Sequence, residues 1–205
     1  MHIPDGFLDL KTSITTYLIS GVSLSMVLKQ LNKSFEEKNI PTLGLLGAFI
    51  FAAQMINLPI AGGTSGHLMG GVLAMLIAGP WAAVVVMSTI LFIQAIIFMD
   101  GGIIVLGANI LNMAVVQVFV GYFIYYKSKR FISSYKIRTF LAAFLSMEIS
   151  AALVALELAF SQTITLSKVL PAMLGWHFLI GILEGIITLV IIIYLKKVAS
   201  DRVKI

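Results

Sequence analysis

The sequence predicts an all-α integral membrane protein, built as a bundle of about seven transmembrane helices in a single domain over residues 1–205. Hydrophobic residues make up 60% of the chain, against about 45–50% apolar residues in an ordinary soluble domain. Charged residues make up only 11%, against about 25%. No Asp, Glu, Lys or Arg occurs from Asn39 to Met99 or from Gly101 to Tyr126. So few charges cannot cover a soluble surface, which excludes a soluble protein.

Seven apolar stretches supply the predicted spans, because a bilayer needs about 20 apolar residues per helix. In chain order they cover roughly residues 12–28, 42–58, 67–78, 81–99, 103–126, 139–160 and 171–195. The third stretch is short for a full crossing. Gly79 and Pro80 separate it from the fourth, because proline cannot continue a helix that it does not begin.

The basic residues predict the orientation of the bundle. Twelve of the 14 Lys and Arg lie between spans one and two, between spans five and six, or after span seven. These residues are Lys29, Lys33, Lys38, Lys127, Lys129, Arg130, Lys136, Arg138, Lys196, Lys197, Arg202 and Lys204. Short basic loops stay in the cytoplasm, which with seven spans requires the N-terminus outside and the C-terminus in the cytoplasm. The net charge of +5 therefore reports topology, and we expect no nucleic-acid partner.

All three histidines fall on the predicted outer side: His2, His67 and His177. Three further polar residues share that side: Asp100, Asn109 and Asn112. The N-terminus lacks the basic region of a signal peptide. Pro4 and Gly6 predict a turn that folds the first residues back. Residues 1–8 are therefore a candidate metal-binding segment.

His2 has a special metal chemistry because it follows the terminal amine of Met1. The amine, the amide nitrogen of His2 and its imidazole Nδ1 can chelate one ion in adjacent small rings, with His67 as the natural fourth donor. A square-planar nitrogen site suits Ni(II) or Cu(II), and tetrahedral Zn(II) fits it poorly. The nitrogens must lose protons, so affinity should fall in acid. The alternatives are a terminus of no consequence at His2 and a helix-capping role for His67.

The segment 59–71 is a glycine-rich loop that carries His67. Irregular backbone at membrane depth is tolerated where it is buried in protein or lines a cavity, so the segment predicts a re-entrant turn. Close helix packing through small residues is the alternative. Residues 63–66 also match the Gly-x-Ser-Gly of rhomboid-type intramembrane serine proteases, in which Ser65 would pair with His177.

Three polar residues of the last two spans remain open. His177 lies beside Trp176 and is interpreted as an interfacial residue of the aromatic belt, with a role around the metal as the alternative. Glu148 and Glu184 lie within predicted spans, where carboxylates are costly and often functional. For both we favour a structural role.

The motifs together resemble the CbiM/NikM family, the cobalt- and nickel-binding S components of energy-coupling-factor (ECF) transporters. The resemblance begins with Met1-His2-Ile3-Pro4-Asp5-Gly6-Phe7-Leu8 and includes Gly62-Gly63-Thr64-Ser65-Gly66-His67-Leu68-Met69-Gly70-Gly71. It continues through residues 51–59, Gly79-Pro80-Trp81, Gln94-Ala95, residues 100–113 and a weaker echo from His177 to Gly185. It covers nearly the whole chain.

The resemblance implies a carrier that captures Ni(II) or Co(II) outside the cell membrane of a prokaryote, in square-planar coordination by Met1, His2 and His67. It implies six outer-shell or loop-fixing residues: Asn112, Gln54, Asn109, Thr64, Ser65 and Asp100. The implied partners are a transmembrane T component and two cytoplasmic ATPases, and the chain itself has no Walker A motif. A fused C-terminal subunit of some family members is missing after Ile205, so a separate small membrane subunit is expected. A related S component for another solute, such as a vitamin, is the second transport hypothesis.

Overall fold

The computed structural model describes residues 1–33, 35–56, 58–60 and 64–199, with residues 58–60, 64 and 65 described in backbone only. Its eight α-helical segments are α1 (Leu10–Leu31), α2 (Ile40–Gln54), α3 (Gly71–Ala78), α4 (Pro80–Ile97), α5 (Leu106–Ile110), α6 (Gln117–Lys127), α7 (Tyr135–Phe160) and α8 (Leu166–Val198). Short 3₁₀ turns at Glu37–Asn39 and Ser128–Arg130 flank α2 and α6, and a π-helical segment at Leu111–Val116 joins α5 to α6. The predicted multi-pass helical architecture is confirmed.

The number of long helices differs from the predicted seven. Within the described residues, five helical stretches are long and apolar enough to cross a membrane: α1, α4, the continuous helix Leu106–Arg130, α7 and α8. Helix α2 has 15 residues, which extend about 22 Å, short of a hydrocarbon core of about 30 Å. Helix α3 has eight residues. The count of seven spans is therefore not confirmed, and the third stretch, already short for a full crossing in the sequence, holds only the eight residues of α3.

In place of a third span, the described part of the glycine-rich segment forms two short paired strands and an irregular stretch. Strands β1 (Leu58–Ile60) and β2 (Thr64–Gly66) pair antiparallel, with Pro59 opposite Ser65. Residues 67–70 are irregular and lead into α3. Residues 61–63, which include Gly62 and Gly63 of the predicted turn, lie outside the described residues.

Two predicted chain breaks occur where the sequence places them. Gly79 ends α3 with φ of 83°, a left-handed conformation that favours glycine, and Pro80 begins α4. Near the N-terminus, the amide of Phe7 donates to the carbonyl of Pro4 across a turn in which Gly6 has φ of 87°. The first residues therefore fold back before α1 begins.

The bundle has two chemically different ends. At one end, here called the site end, the N-terminal segment meets the α7–α8 loop: the hydroxyl of Thr163 donates to the carbonyl of Phe7 at 2.5 Å and Ser161 donates to Asp9. At the other end, here called the basic end, Lys196 lies over the ring of Tyr135 at 4.2 Å and Arg138 over that of Tyr125 at 4.7 Å. Arg138 and Lys196 thus lie at the opposite end of the bundle from the N-terminal segment.

Candidate metal site

The first three residues are buried within the bundle, although they precede every helix. Met1 is 1% exposed, His2 4% and Ile3 1%. The side chain of Asn109 holds Ile3 like a strand partner: its Oδ1 accepts from the Ile3 amide at 2.9 Å and its Nδ2 donates to the Ile3 carbonyl at 3.1 Å. The amide of Gly102 donates to the same carbonyl at 2.9 Å. The amide and carbonyl of Ile3 are thus satisfied without secondary structure.

The turn after Ile3 is fastened to the α4–α5 loop by a carboxylate. Asp5 accepts from the amides of Ile103 and Ile104, at 3.1 and 2.8 Å. A Cβ on Gly102 would lie 2.1 Å from the Asp5 carboxylate oxygen, so only glycine allows this approach. The N-terminal segment is therefore positioned chiefly by residues 100–109.

The imidazole rings of His2 and His67 stack, with centroids 4.6 Å apart and planes inclined by 28°. His2 Nε2 donates to Gln94 Oε1 at 3.0 Å, because the amide oxygen can only accept. His67 Nδ1 donates in the same way to the Leu68 carbonyl at 2.7 Å. These bonds fix the tautomers and leave a lone pair on His2 Nδ1 and on His67 Nε2.

Neither of those two lone-pair nitrogens has a hydrogen-bond partner among the described residues. Asp100 Oδ1 lies 3.5 Å from His2 Nδ1, but no hydrogen bond forms between them. A buried polar atom without a partner costs about 1–3 kcal/mol, and such atoms in a native fold often mark functional groups. His67 is 3% exposed, so water is also largely excluded.

Burial keeps the donor nitrogens free of protons. Loss of solvation lowers the pKa of the terminal amine to about 4, although the charge of Asp100 acts in the opposite direction. It lowers the pKa of His2 to about 3, with the amine charge adding to the effect and the bond to Gln94 opposing it. It also places the pKa of His67 well below its ordinary value. At neutral pH the amine and both imidazoles are therefore uncharged, and each has a nitrogen lone pair that could bind a metal ion.

Three helices position the chain that follows His67. From the middle of α8, Glu184 accepts from the amides of Met69 at 2.7 Å and Gly70 at 3.1 Å. From α6, Gln117 accepts from the Gly71 amide at 3.0 Å and donates to Glu184 at 2.8 Å. These bonds satisfy the amides of the two residues before α3 and the first amide of α3 itself, which a helix cannot satisfy internally.

Gln54 at the end of α2 completes this support by donating to the Met69 carbonyl at 2.6 Å. Position 70 requires glycine, because φ is 81° there and a Cβ would lie 2.8 Å from the side chain of Ile50. The position of His67 thus depends on α2, α6 and α8 together.

The six predicted supporting residues separate into four groups. Asn109 and Gln54 contact the two segments directly, as given above. Asp100 lies beside His2. Asn112 is buried one turn below Asn109, where it donates to Glu157 at 2.7 Å, so it reaches neither segment by a described hydrogen bond. The side chains of Thr64 and Ser65 lie outside the described residues.

The predicted set of site residues lacked three that the structure places at the site: Gln94, Gln117 and Asp5. The two glutamines are isolated polar side chains in apolar stretches, which was the available signal. Glu184, for which a structural role was favoured, also supports the His67 segment. The interfacial interpretation of His177 was wrong, because His177 is 0% exposed. Helix α8 packs it into the bundle interior and turns Trp176 outward, 47% exposed.

The arrangement offers nitrogen donors and few oxygen donors. No group of three or more His, Asp or Glu side chains lies within ligating distance of one point in the described part of the chain. The candidate set is therefore two imidazoles with main-chain nitrogens of Met1 and His2. Such a set suits a late first-row divalent ion better than Mg²⁺ or Ca²⁺, which take oxygen ligands.

Comparisons with known proteins agree with this chemistry. Residues 2–202 match the CbiM family, described as cobalt uptake substrate-specific transmembrane region. A putative fused nickel transport protein NikMN of Archaeoglobus fulgidus is 40% identical over 206 residues, covering 100% of this chain and 68% of that protein. The cobalt transport protein CbiM of Clostridium tetani is 30% identical, covering 100% and 88%.

A solved structure shows the same fold. The crystal structure of a truncated transition metal transporter superposes with a TM-score of 0.92 at 34% identity, covering 96% of this chain and 99% of that one. All of these relatives are described as metal transport proteins, none as a protease. The chain belongs to the CbiM family of nickel and cobalt transport proteins.

Proposed function

We propose that this chain is the substrate-binding S component of an ECF-type, ATP-driven uptake transporter for Ni(II) or Co(II). The ion is held by the amine of Met1, the amide nitrogen and Nδ1 of His2, and Nε2 of His67. One observation carries the proposal: the two imidazole nitrogens that this coordination requires are the two left buried and unpartnered where the rings of His2 and His67 meet.

The hydrogen bonds to the opposite ring nitrogens support the assignment. A metal-binding histidine usually donates its other N–H to a carbonyl or carboxylate, which orients the ring and raises the basicity of the ligand. Gln94 serves His2 and the Leu68 carbonyl serves His67 in this way. Both rings are therefore preorganised for one ion. The two main-chain nitrogens complete a plane that d⁸ Ni(II) favours.

The two halves of the donor set are held by different parts of the bundle. The α4–α5 loop region and Asn109 hold residues 1–5, whereas α2, α6 and α8 hold the His67 segment. A movement of one support relative to the other separates His67 from the chelating terminus and removes a ligand at once. This is how so strongly chelating a site can release its ion when partner subunits act on the helices.

The partners in the proposal are a transmembrane T component, two cytoplasmic ATPases and a separate small membrane subunit. The site end faces the outside of a prokaryotic cell membrane and the basic end faces the cytoplasm. Concentration of positive residues at the basic end supports this orientation.

Metal binding by purified protein, prepared without affinity tags that bind metal, tests the proposal. His67→Ala and a one-residue extension before Met1 should each lower Ni(II) affinity by at least about 100-fold, because each removes a ligand or displaces the chelate. When free Ni(II) is at 100 times its Kd, binding should stabilise the wild-type protein by about 2.7 kcal/mol. Thermal unfolding detects this change. The bound ion should be diamagnetic if it is square-planar Ni(II).

A one-residue extension after Ile205 is the matched control and should bind Ni(II) normally. Unchanged affinity and stoichiometry in both the His67→Ala and the N-terminally extended proteins would refute the proposed site. Retained metal transport with unchanged binding would then point to a site elsewhere in the bundle.

A further inference from the structure

His177 is the third buried histidine of the chain, and the proposed coordination does not use it. It is 0% exposed on α8. Its Nδ1 donates to the Met173 carbonyl one turn earlier at 2.7 Å, which fixes the tautomer and leaves a lone pair on Nε2. That nitrogen is buried with no hydrogen-bond partner among the described residues. His177 therefore has the same electronic arrangement as His67.

The position of His177 on α8 places it on the side of the helix that faces the His67 segment. Glu184 follows His177 by seven residues, two helical turns, so both lie on one face of α8. Glu184 bonds to the amides of Met69 and Gly70, which closely follow His67. Helix α8 also packs against strands β1 and β2, which immediately precede His67. His177 is close enough to the terminal amine and to His67 that a positive charge on one of these groups would disfavour a charge on the others.

Resting on the function proposed above, we infer that Nε2 of His177 is a metal ligand in a second binding state, in which it holds the ion together with Nε2 of His67 and the amine of Met1. All three donors are nitrogen atoms. In the second state, the amide nitrogen and the imidazole of His2 no longer bind the ion. The imidazole of His177 binds it instead.

The second state solves a chemical difficulty of the first. Coordination by the amide nitrogen requires that the amide lose its proton to solvent as the bond to the ion forms. An amine and two imidazoles bind without that loss, so they can hold an ion as it enters or leaves. Three nitrogen donors with an open fourth position suit a tetrahedral ion such as Zn(II), which the square-planar site accommodates poorly.

Zn(II) and Ni(II) titrations of the full-length protein, each by isothermal calorimetry, test the inference. The variant is His177→Gln, with Thr188→Val as matched control, because Thr188 is a buried polar residue on the same face of α8. We expect His177→Gln to lower Zn(II) affinity by at least about tenfold. Ni(II) affinity should change less than about threefold, since the square-planar donors are intact. Thr188→Val should leave both affinities unchanged.

The remaining outcomes overturn the inference. Zn(II) affinity that is unchanged in His177→Gln would show that His177 is no ligand, as would wild-type protein that binds no Zn(II). A parallel loss of Zn(II) and Ni(II) affinity would show that His177 only supports the fold; His177→Asn, measured beside its thermal stability, would separate that case from misfolding. Failure of wild-type protein to bind Ni(II) would instead refute the proposed function itself.

Discussion

At the scale of single residues, the candidate site depends on which ring nitrogen each histidine presents. Gln94 decides this for His2, because its Oε1 accepts from Nε2 and leaves Nδ1 available. Only Nδ1 can close a small chelate ring with the amide nitrogen of the same residue. A buried amide on α4 thus selects the tautomer that the proposed coordination needs.

Replacement of Gln94 by Leu should weaken Ni(II) binding by about 10- to 100-fold. The variant removes the acceptor for His2 Nε2 and lets the ring rotate or change tautomer. Calorimetric titration of purified protein measures the change. Ser88→Ala on the same helix is the control, because Ser88 is also buried and its hydroxyl has no partner in the described structure. Equal affinities of wild type and Gln94→Leu would contradict the role of Gln94.

At the scale of helices and loops, the polar residues of the apolar spans hold irregular backbone in place. Glu184 is the centre of this support, because its two oxygens accept from three donors of the His67 segment and α6. A carboxylate in an apolar bundle is costly, and here three hydrogen bonds offset the cost. The favoured structural role of Glu184 agrees with these contacts.

Replacement of Glu184 by Gln should destabilise the protein by about 1–3 kcal/mol and weaken Ni(II) binding. A glutamine has one acceptor oxygen, so its NH₂ group would face a main-chain donor. Thermal unfolding in detergent, with and without Ni(II), measures both effects. Glu148→Gln is the matched control, since Glu148 is half-buried on α7 and its Oε1 has no partner among the described residues. A Glu184→Gln protein as stable as Glu148→Gln would show that the network is dispensable.

A glycine sets the spacing of α1 and α5 beside the N-terminal segment. A Cβ on Gly107 would lie 2.6 Å from the backbone of Tyr17, whereas one on Gly21 of α1 would meet nothing within 4 Å. Gly107→Ala should therefore force the helices apart and lower the unfolding temperature. Gly21→Ala should leave it unchanged or raise it slightly, because alanine favours a helix by about 1 kcal/mol over glycine. A Gly107→Ala protein with wild-type unfolding temperature would contradict the close packing.

At the scale of the whole molecule, charge and chemistry are segregated along the bundle. The N-terminal segment and the α7–α8 loop lie at the site end, and cationic side chains lie on tyrosines at the basic end. The exposed surface between the ends carries large apolar side chains, including Leu18, Leu45 and Leu179. Lipid is the environment that such a surface requires.

Cysteine labelling on intact cells tests the proposed orientation, in which the site end faces the outside and the basic end faces the cytoplasm. The chain has no cysteine of its own, so only an introduced cysteine reacts. Thr165→Cys at the site end should react with a membrane-impermeant maleimide added outside. Lys129→Cys at the basic end should react only after the cells are permeabilised. Both positions are exposed. The reverse pattern would invert the proposed orientation and place metal capture in the cytoplasm.

The sequence could predict much of the site but less of its support. Met1, His2 and His67 follow from the chelate chemistry and the motifs, and Asn109 and Gln54 lie where the resemblance implies. The count of seven spans is not confirmed at α2 and α3, because hydropathy cannot distinguish a crossing helix from a shorter helix joined to a pair of short strands. The misplacement of His177 has the same origin, since an apolar span does not reveal which of its faces is inside.

The sequence by itself determined the membrane environment, the segregation of charge and the identity of the candidate donors, because composition, charge placement and a terminal histidine act locally. Only the tertiary structure decided which nitrogens remain available and what holds them. The partners that settle this, Gln94 for His2 and Glu184 for the His67 segment, lie about 90 and more than 110 residues away along the chain. Hydrogen bonds over such distances exist only once the helices have packed, so no local pattern encodes them.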